Sequence, residues 1–330
     1  MVVASRRCAG PMKISKIARA LLTFIALSAS IHAYGRTERC TAGLTTHRPQ
    51  FEAVISYEDT QSKTLPTVLV RIDGKVAKML LDSGSNVNIL LDAALADATP
   101  RPGPYQIDAH VGSAEAQRVH VTLGDDHGNT LKKDFYVLAN SPLAADGYAG
   151  ILSPQALAGH GAVVMDFEKN CLFTSVPFEI SADDSLQVRR GRTVENPHNI
   201  MAIPVRLDDH ELPLIVDSGA SDTRILSSLV RSKPEGPVSP STTDVFGLEV
   251  PREGSMRLVD LEINGRTFRS HPVIPMPTLD DKGIVSFGHI GMDILKDLVI
   301  YHAGVQGEFI LLARQGGAAQ TVGERSTISR

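Results

Sequence analysis

The sequence predicts an all-β protein of two lobes that arose by internal duplication. The segment "VRIDGKVAKMLLDSGSNVNILL" (Val70 to Leu91) aligns without a gap on "VRLDDHELPLIVDSGASDTRIL" (Val205 to Leu226). Seven of the 22 paired positions are identical, and the offset between the copies is 217 − 82 = 135 residues. The first copy is typical of two strands joined at a hairpin turn at Asp73-Gly74. A repeat of this kind predicts two related structural units.

Strand patterns continue after each copy and support the same conclusion. The segment "VHVTLGDDHGNTLKKDFYVL" (119–138) predicts a hairpin, and "MRLVDLEINGRTFRSHPVI" (256–274) predicts its counterpart with a turn at Asn264-Gly265. Each unit then ends in a further hairpin pattern, at 161–173 and at 296–312. Two β-rich lobes of one ancestry favour pseudo-two-fold symmetry with a cleft between them.

The N-terminus predicts an export signal. Three basic residues between 13 and 19 precede the apolar stretch "ALLTFIALSAS" (20–30), and small residues follow it. Cleavage is expected after Ser30 or Ala33, with an uncleaved membrane anchor as the alternative. We expect a periplasmic or secreted protein that has no membrane contact beyond export.

These patterns divide the chain into five predicted segments. They are a signal peptide (1–33), an N-terminal lobe (34–180), a polar linker (181–199), a C-terminal lobe (200–312) and a disordered tail (313–330).

Composition and motif searches exclude several classes of function. The formal net charge is −4, and no long basic run follows residue 40, which argues against a nucleic-acid-binding protein. Trp is absent and aromatic residues make up 5% of the chain, so a carbohydrate-binding platform of stacked aromatics is not expected. No CxxC or HExxH motif occurs, so neither a metal nor another cofactor is expected.

The three cysteines bear on redox state. Cys8 would leave with the signal peptide, whereas Cys40 and Cys171 would remain. An oxidising compartment would allow these two to form a disulfide. The sequence alone leaves open whether they lie close together.

Both copies of the repeat place an aspartate at the end of an apolar strand, followed by Ser and Gly. A buried carboxylate is costly unless it is paired or hydrogen-bonded. Glycine allows the backbone to turn sharply and to approach a neighbour closely, and the serine hydroxyls can donate hydrogen bonds. The triplets comprise Asp82, Ser83 and Gly84 in the first lobe and Asp217, Ser218 and Gly219 in the second.

Pseudo-two-fold packing of the lobes would bring Asp82 and Asp217 face to face. Two carboxylates at hydrogen-bond distance do not both stay charged, so one holds a proton while the other is ionised. The ionised group can take a proton from a water that attacks a peptide carbonyl, and the protonated group can hydrogen-bond the carbonyl oxygen. Such chemistry requires no metal and no covalent intermediate.

These motifs resemble those of the aspartic peptidases of the pepsin and retroviral-protease type, over residues 66–312. "LLDSGS" and "IVDSGA" both fit the Asp-Thr/Ser-Gly-Ser/Thr/Ala hallmark, and "HIGMDIL" fits the later supporting motif at Gly291. In the first lobe, "GILSPQAL" has Ser153 where the family has glycine. The resemblance implies a bilobal acid-protease-like double β-barrel with a central cleft.

The residues after the two glycines differ between the copies. The resemblance assigns Ser85 and Ala220 to the support of the active-site loops. A hydroxyl at Ser85 would stabilise ionised Asp82 whereas Ala220 has none, so the two sites would titrate unequally. Simple packing of small side chains is the alternative.

The family binds peptides in extended form under a β-hairpin flap, and the sequence offers two segments for it. They are "HVGSAEAQ" (110–117), with Val111, Gly112 and Ser113, and "FGLEVPREG" (246–254). Neither holds the tyrosine that pepsins carry there, which favours a retropepsin-like architecture with two fused lobes, most like bacterial sequences of that type.

The resemblance thus implies an exported aspartic endopeptidase that cleaves peptide or protein substrates. Since one chain supplies both aspartates, a monomer is expected to suffice. The alternative is a catalytically inactive peptide-binding protein on the same scaffold.

Overall fold

The structure is a computed structural model, and the part of the chain that it describes has several gaps. The described residues are 44–45, 47–109, 111–180, 186–194, 200–277, 287–304 and 307–314. The predicted signal peptide (1–33) lies outside them. None of the helices within these ranges has the length and apolar character needed to span a bilayer.

The first lobe is a closed barrel. Its strands are β1 (Phe51–Asp59), β2 (Thr64–Ile72), β3 (Lys75–Leu81), β4 (Ile89–Leu90), β5 (Arg101–Asp108), β6 (Ser113–Gly124), β7 (Thr130–Val137), β8 (Gly150–Leu152), β9 (Ala162–Asp166) and β10 (Cys171–Ser175). The order β2-β3-β8-β4-β7-β6 closes because β2 also pairs with β6. Short 3-10 turns lie at Ala93–Leu95 and Pro142–Ala144, and helix α1 is Pro154–Ala158.

The second lobe repeats this topology. It comprises β11 (Leu186–Arg192), β12 (Ala202–Leu207), β13 (His210–Val216), β14 (Arg224–Leu226), helix α2 (Ser227–Val230), β15 (Glu235–Val238), β16 (Ser255–Ile263), β17 (Arg266–Met276), β18 (Gly288–Ile290), helix α3 (Met292–Leu295), β19 (Val299–Ala303) and β20 (Glu308–Arg314). The order β12-β13-β18-β14-β17-β16 closes because β12 also pairs with β16. Strand for strand, this is the order of the first lobe.

A shared antiparallel sheet joins the lobes, in the order β11-β20-β19-β9-β10-β1. Each strand has a counterpart on the other side of its centre, where β9 of one lobe pairs with β19 of the other along their whole lengths. The sheet is therefore symmetric about the β9–β19 pair. These observations confirm the predicted all-β, bilobal double barrel with pseudo-two-fold symmetry.

Local sequence explains the hairpins that build each barrel. Asp73, Asp208 and Asn264 adopt positive φ angles of 46°, 53° and 47° at their tips. Short polar side chains tolerate this conformation better than other non-glycine residues. Along β13, the side chains of Leu212, Leu214 and Val216 are buried, at every second position, as expected for a strand with one face toward a core. The hairpin turn predicted at Asp73-Gly74 is confirmed.

The predicted linker requires a correction. Residues 181–199 were expected to lack regular structure, yet they contain β11, which pairs with β20 over its full length. β11 is the last strand at one edge of the shared sheet. An edge strand has only one neighbour, so its sequence "LQVRRGR" can be polar and lacks the apolar alternation of a buried strand.

Two further predictions lie partly outside the described residues. Ala313 and Arg314 belong to β20, so the strand continues past the predicted start of the tail, and residues 315–330 are not described. Cys171 is disulfide-bonded, and its predicted partner Cys40 lies outside the described part of the chain.

Candidate active site

Each aspartate directly follows a strand in the wall of its barrel, β3 in the first lobe and β13 in the second. β3 lies parallel to β8, and the amide of Asp82 donates to the carbonyl of Leu152 at 3.1 Å. In the second lobe β13 lies parallel to β18, and the amide of Asp217 donates to the carbonyl of Ile290 at 3.0 Å. Equivalent backbone hydrogen bonds therefore hold the two aspartates at equivalent positions of the two barrels.

The two serines clamp the lobes together through reciprocal hydrogen bonds. The amide of Ser83 donates to Oγ of Ser218 at 3.0 Å, and the amide of Ser218 donates to Oγ of Ser83 at 2.9 Å. Each hydroxyl then donates across the interface, Ser83 to the carbonyl of Val216 at 2.7 Å and Ser218 to that of Leu81 at 2.8 Å. Both serines are fully buried, so the four bonds act away from water and fix the position of one aspartate loop against the other.

The glycines of the triplets leave room for the carboxyl groups. A Cβ on Gly84 would lie 2.6 Å from Cγ of Asp217, and one on Gly219 would lie 2.7 Å from Cγ of Asp82. Each carboxyl group therefore packs against the glycine of the opposite loop, and the two aspartates share a side-chain hydrogen bond. No larger residue fits at either position without moving a carboxyl group.

Packing around the pair raises the pKa of both carboxyl groups, although each aspartate keeps partial contact with solvent. For Asp82, the adjacent Asp217 carboxylate and their shared hydrogen bond raise the pKa further. For Asp217, that hydrogen bond, the loop amides and, least of all, the positive charge of Arg224 oppose the effect of burial. The pair therefore keeps one shared proton at a higher pH than a free carboxyl group would.

Backbone amides hold the ionisable oxygens in place. Oδ1 of Asp82 accepts from the amides of Gly84 at 2.8 Å and Ser85 at 3.2 Å, and Oδ1 of Asp217 accepts from the amide of Gly219 at 3.0 Å. These bonds favour the charged form of either carboxyl group and oppose the effect of burial.

The role expected of the Ser85 hydroxyl differs from what the structure shows. That hydroxyl donates to the carbonyl of Val87 at 2.8 Å, so only the backbone amide of Ser85 reaches Asp82. At the equivalent position in the second lobe, the carbonyl of Ala220 accepts from the amide of Met292 at 2.8 Å and ties the loop to α3. The Ser85 hydroxyl therefore gives no reason for the two sites to titrate unequally.

Arg224 is a buried cation that the first lobe lacks. Its side chain is 3% exposed, and it donates to the carbonyl of Pro251 at 3.2 Å and to Oγ1 of Thr242. The equivalent residue of the first lobe is Ile89, also buried. The repeat alignment pairs these two residues, so an apolar-to-Arg exchange within a buried strand was a signal in the sequence that could have identified this group.

A short helix supports each aspartate loop, α1 in the first lobe and α3 in the second. The residue just before the helix is Ser153 in the first lobe and Gly291 in the second. The amide of Gly291 donates to Oγ1 of Thr223 at 3.1 Å, and that of Ser153 donates to Oδ1 of Asn88 at 3.0 Å. A Cβ on Gly291 would lie 2.5 Å from the backbone carbon of Asp222. In the first lobe the hydroxyl of Ser153 fits, and it donates to the carbonyl of Ser85 at 2.6 Å.

Other supporting residues were not predicted from the sequence. Nε2 of Gln155 donates to the carbonyl of Ser83 at 2.6 Å. In the second lobe, Asp293 accepts from the amide of Thr223 at 3.0 Å and lies 2.8 Å from Nε2 of His271. Asn88 and Thr223 occupy equivalent positions downstream of the two aspartates, and this repeated polar position was the available signal.

The two predicted flap segments differ in structure. Val111 and Gly112 lie at the tip of the β5–β6 hairpin, where the amide of Ala109 donates to the carbonyl of Gly112 at 2.9 Å, and Ser113 begins β6. His110 lies outside the described residues. The second segment (246–254) belongs to a long loop between the short strand β15 and β16, and its first residues form one side of a small antiparallel turn closed by the Thr243–Glu249 bridge.

Metal chemistry has no support from side-chain clustering within the described ranges. There, no group of three or more His, Cys, Asp or Glu residues is arranged to hold a metal ion.

Comparison with known proteins gives similarities among solved structures but none among family models or curated proteins. No family model matches the chain, and no curated protein matches it. Among solved structures, an aspartic proteinase from Irpex lacteus is similar with a TM-score of 0.49 and 13% sequence identity, over 80% of this chain and 97% of that chain.

Proposed function

We propose that this protein is an aspartic endopeptidase in which Asp82 and Asp217 activate a water molecule for attack on a peptide bond. The observation that supports this most directly is the aspartate pair itself. The two carboxyl groups share a hydrogen bond, and reciprocal bonds between buried serines hold them in place. Two carboxyl groups whose environments push their pKa values apart are a ready acid and base.

A pair that shares one proton offers a base and an acid at the same time. The ionised carboxyl group accepts a proton from the water as the water oxygen attacks the carbonyl carbon of the scissile bond. The protonated carboxyl group donates a hydrogen bond to the carbonyl oxygen, where negative charge develops. The tetrahedral intermediate then collapses, the carbon–nitrogen bond breaks, and a proton passes to the leaving amine. The peptide would lie extended beneath the β5–β6 hairpin.

The finer assignment is a retropepsin-like enzyme with two fused lobes, exported and active as a monomer. One chain contributes both aspartates, and the flap segment has no tyrosine. Export is tested by mass spectrometry of the protein recovered outside the cytoplasm. A mature N-terminus near residue 31 or 34 is expected, and recovery of the full-length chain in the membrane fraction would favour the anchor.

The alternative is a peptide-binding protein without activity on the same scaffold. The presence of both Asp-Ser-Gly triplets favours the enzyme, because binding alone requires no carboxyl pair at hydrogen-bond distance. Binding of a statin-type peptide by the wild type without cleavage of any substrate would favour the alternative.

The test compares wild type with Asp82→Asn and Asp217→Asn on a peptide library from pH 3 to 7. Each substitution keeps an oxygen for the loop amides but removes an acid or a base, so we expect activity to fall by about 10³-fold or more. Cleavage that persists in either variant would exclude that residue as a catalyst.

Thermal stability provides a readout that does not depend on catalysis. A carboxyl group whose pKa is raised on folding binds its proton more tightly in the folded state, so it destabilises the protein increasingly as pH rises from the unfolded pKa toward the folded one. Asp82→Asn removes this cost. Its melting temperature is therefore expected to exceed that of the wild type at pH 7, and the difference should vanish near pH 3.

A further inference from the structure

The tip of the flap is not free but contacts a loop of the opposite lobe. We call residues 239–254, between β15 and β16, the latch loop. The flap tip, Val111 and Gly112, belongs to the first lobe, whereas the latch loop belongs to the second. A contact between them therefore joins the two lobes.

One carboxylate makes the polar part of this contact. Oδ2 of Asp244 accepts from the amide of Gly112 at 3.1 Å and from that of Val111 at 3.3 Å. Its other oxygen, Oδ1, accepts from the amides of Phe246 at 2.9 Å and Leu248 at 3.0 Å, within its own loop. Asp244 is only 9% exposed, so these are charge-assisted bonds largely shielded from water.

Apolar contacts lie beside this carboxylate. A Cβ on Gly112 would lie 2.2 Å from Cδ2 of Phe246, so the glycine provides the space that the ring occupies. Phe246 packs on a cluster of first-lobe residues that includes Ile107 and Leu138. The hydroxyl of Ser141 donates to the carbonyl of Val245 at 2.7 Å. The latch loop thus contacts first-lobe residues beyond the flap tip as well.

The latch loop is itself anchored in the second lobe. Arg224 donates to Pro251 and Thr242, at its two ends. The amide of Glu253 donates to the carbonyl of Pro275 in β17 at 2.9 Å. A loop held in this way presents Asp244 at a fixed position.

We propose that Asp244 is a positioning residue that holds the flap closed over the aspartate pair, so that a peptide can enter only when the two amide bonds to Val111 and Gly112 break. The role of the flap in peptide binding rests on the proposed function. The latch contact does not, and it can be tested in the absence of any substrate.

The substitution Asp244→Asn is designed to remove the hydrogen bonds to the flap tip while it keeps those within the latch loop. The amide oxygen of Asn can continue to accept from Phe246 and Leu248, whereas its NH₂ group then faces the amides of Val111 and Gly112, and two donors cannot bond. Glu249→Gln is the matched control, because Glu249 lies in the same loop but contacts Ser241 and Arg252 instead of the flap.

Amide hydrogen exchange of residues 111–112 is the primary measurement. We expect exchange about tenfold faster or more in Asp244→Asn and unchanged in Glu249→Gln, since the lost bonds involve a charged acceptor. Unchanged exchange in Asp244→Asn would overturn the proposal. So would equal acceleration in β16 and β17, which would indicate general destabilisation of the lobe.

Gly112→Ala approaches the latch from the flap side. Its methyl group would collide with the ring of Phe246, so faster exchange at residue 111 is expected without any change to the carboxylate. Normal protection at that amide would contradict the proposed contact. The proposal therefore remains testable even if Asp244→Asn does not fold.

Stopped-flow binding of a statin-type peptide then measures how the flap limits the rates at which a peptide binds and dissociates. In Asp244→Asn both the association and the dissociation rate constants should rise, because the flap opens more often; a slower association would contradict the gate. If exchange changes as expected but no variant or wild type binds or cleaves peptides, the latch stands and the proposed function fails.

Discussion

The two lobes share one topology but build opposite halves of the site differently. In the first lobe, β5 and β6 form a long hairpin whose tip includes Val111 and Gly112. In the second lobe, β15 spans only Glu235–Val238, and the latch loop connects it to its antiparallel partner β16. One lobe supplies a flap and the other supplies the surface on which the flap rests.

The lobes are most alike where the two aspartates are held. The strand order, the parallel pairs β3–β8 and β13–β18, and the reciprocal bonds of Ser83 and Ser218 are the same on both sides. They differ at the equivalent positions Ile89 and Arg224, where only the second lobe carries a charge. The elements that the lobes share position the aspartate pair, and the charge that they do not share lowers the pKa of Asp217.

The largest expected difference between the lobes is at the start of the supporting helices. Gly291→Ala places a methyl group 2.5 Å from the backbone of Asp222, and a backbone atom cannot move aside cheaply, so we expect a loss of about 3 kcal/mol or more in the free energy of unfolding. Ser153→Gly should cost about 1–2 kcal/mol, because it removes only a hydrogen bond and a helix cap. Urea unfolding measures both. Equal costs would contradict this distinction.

The serine clamp tests the symmetry directly. Ser83→Ala and Ser218→Ala each leave buried partners unsatisfied across the lobe interface, so each should cost about 2 kcal/mol. The double variant should cost less than the sum, since the bonds are reciprocal. Ser83→Thr, which keeps the hydroxyl, is the control for urea unfolding. Strongly unequal single costs would show that the clamp is not symmetric.

The smallest expected effect concerns Arg224. Its positive charge lowers the pKa of Asp217, so Arg224→Met raises that pKa, and activity is lost at a higher pH as the solution is acidified. A shift of the acid limb of the pH–activity profile on the order of half a pH unit is expected, with the alkaline limb unchanged. Arg224→Lys keeps the charge and should shift the limb less. An unshifted limb in Arg224→Met would show that this charge does not tune the pKa of Asp217.

Much of the fold was predictable because each signal that indicates it, a copy of the repeat or a turn, lies within a short continuous stretch of sequence. Gap-free alignment around Asp82 and Asp217, together with turn residues such as Asp73 and Asn264, predicted the hairpins and the two lobes. Strand β11 escaped prediction, because an edge strand that pairs with β20 carries no apolar alternation. The role given to the Ser85 hydroxyl was wrong, since spacing along a chain does not decide which of several acceptors a hydroxyl reaches.

The sequence by itself determined the two aspartate loops and their placement at the ends of apolar strands, since these depend on residue types close together in the chain. Only the tertiary structure decided how the loops meet, that burial raises the pKa of both carboxyl groups, and that Asp244 bonds to the flap tip. These depend on contacts between residues far apart in the chain, whose distances and burial are set by how the two barrels pack.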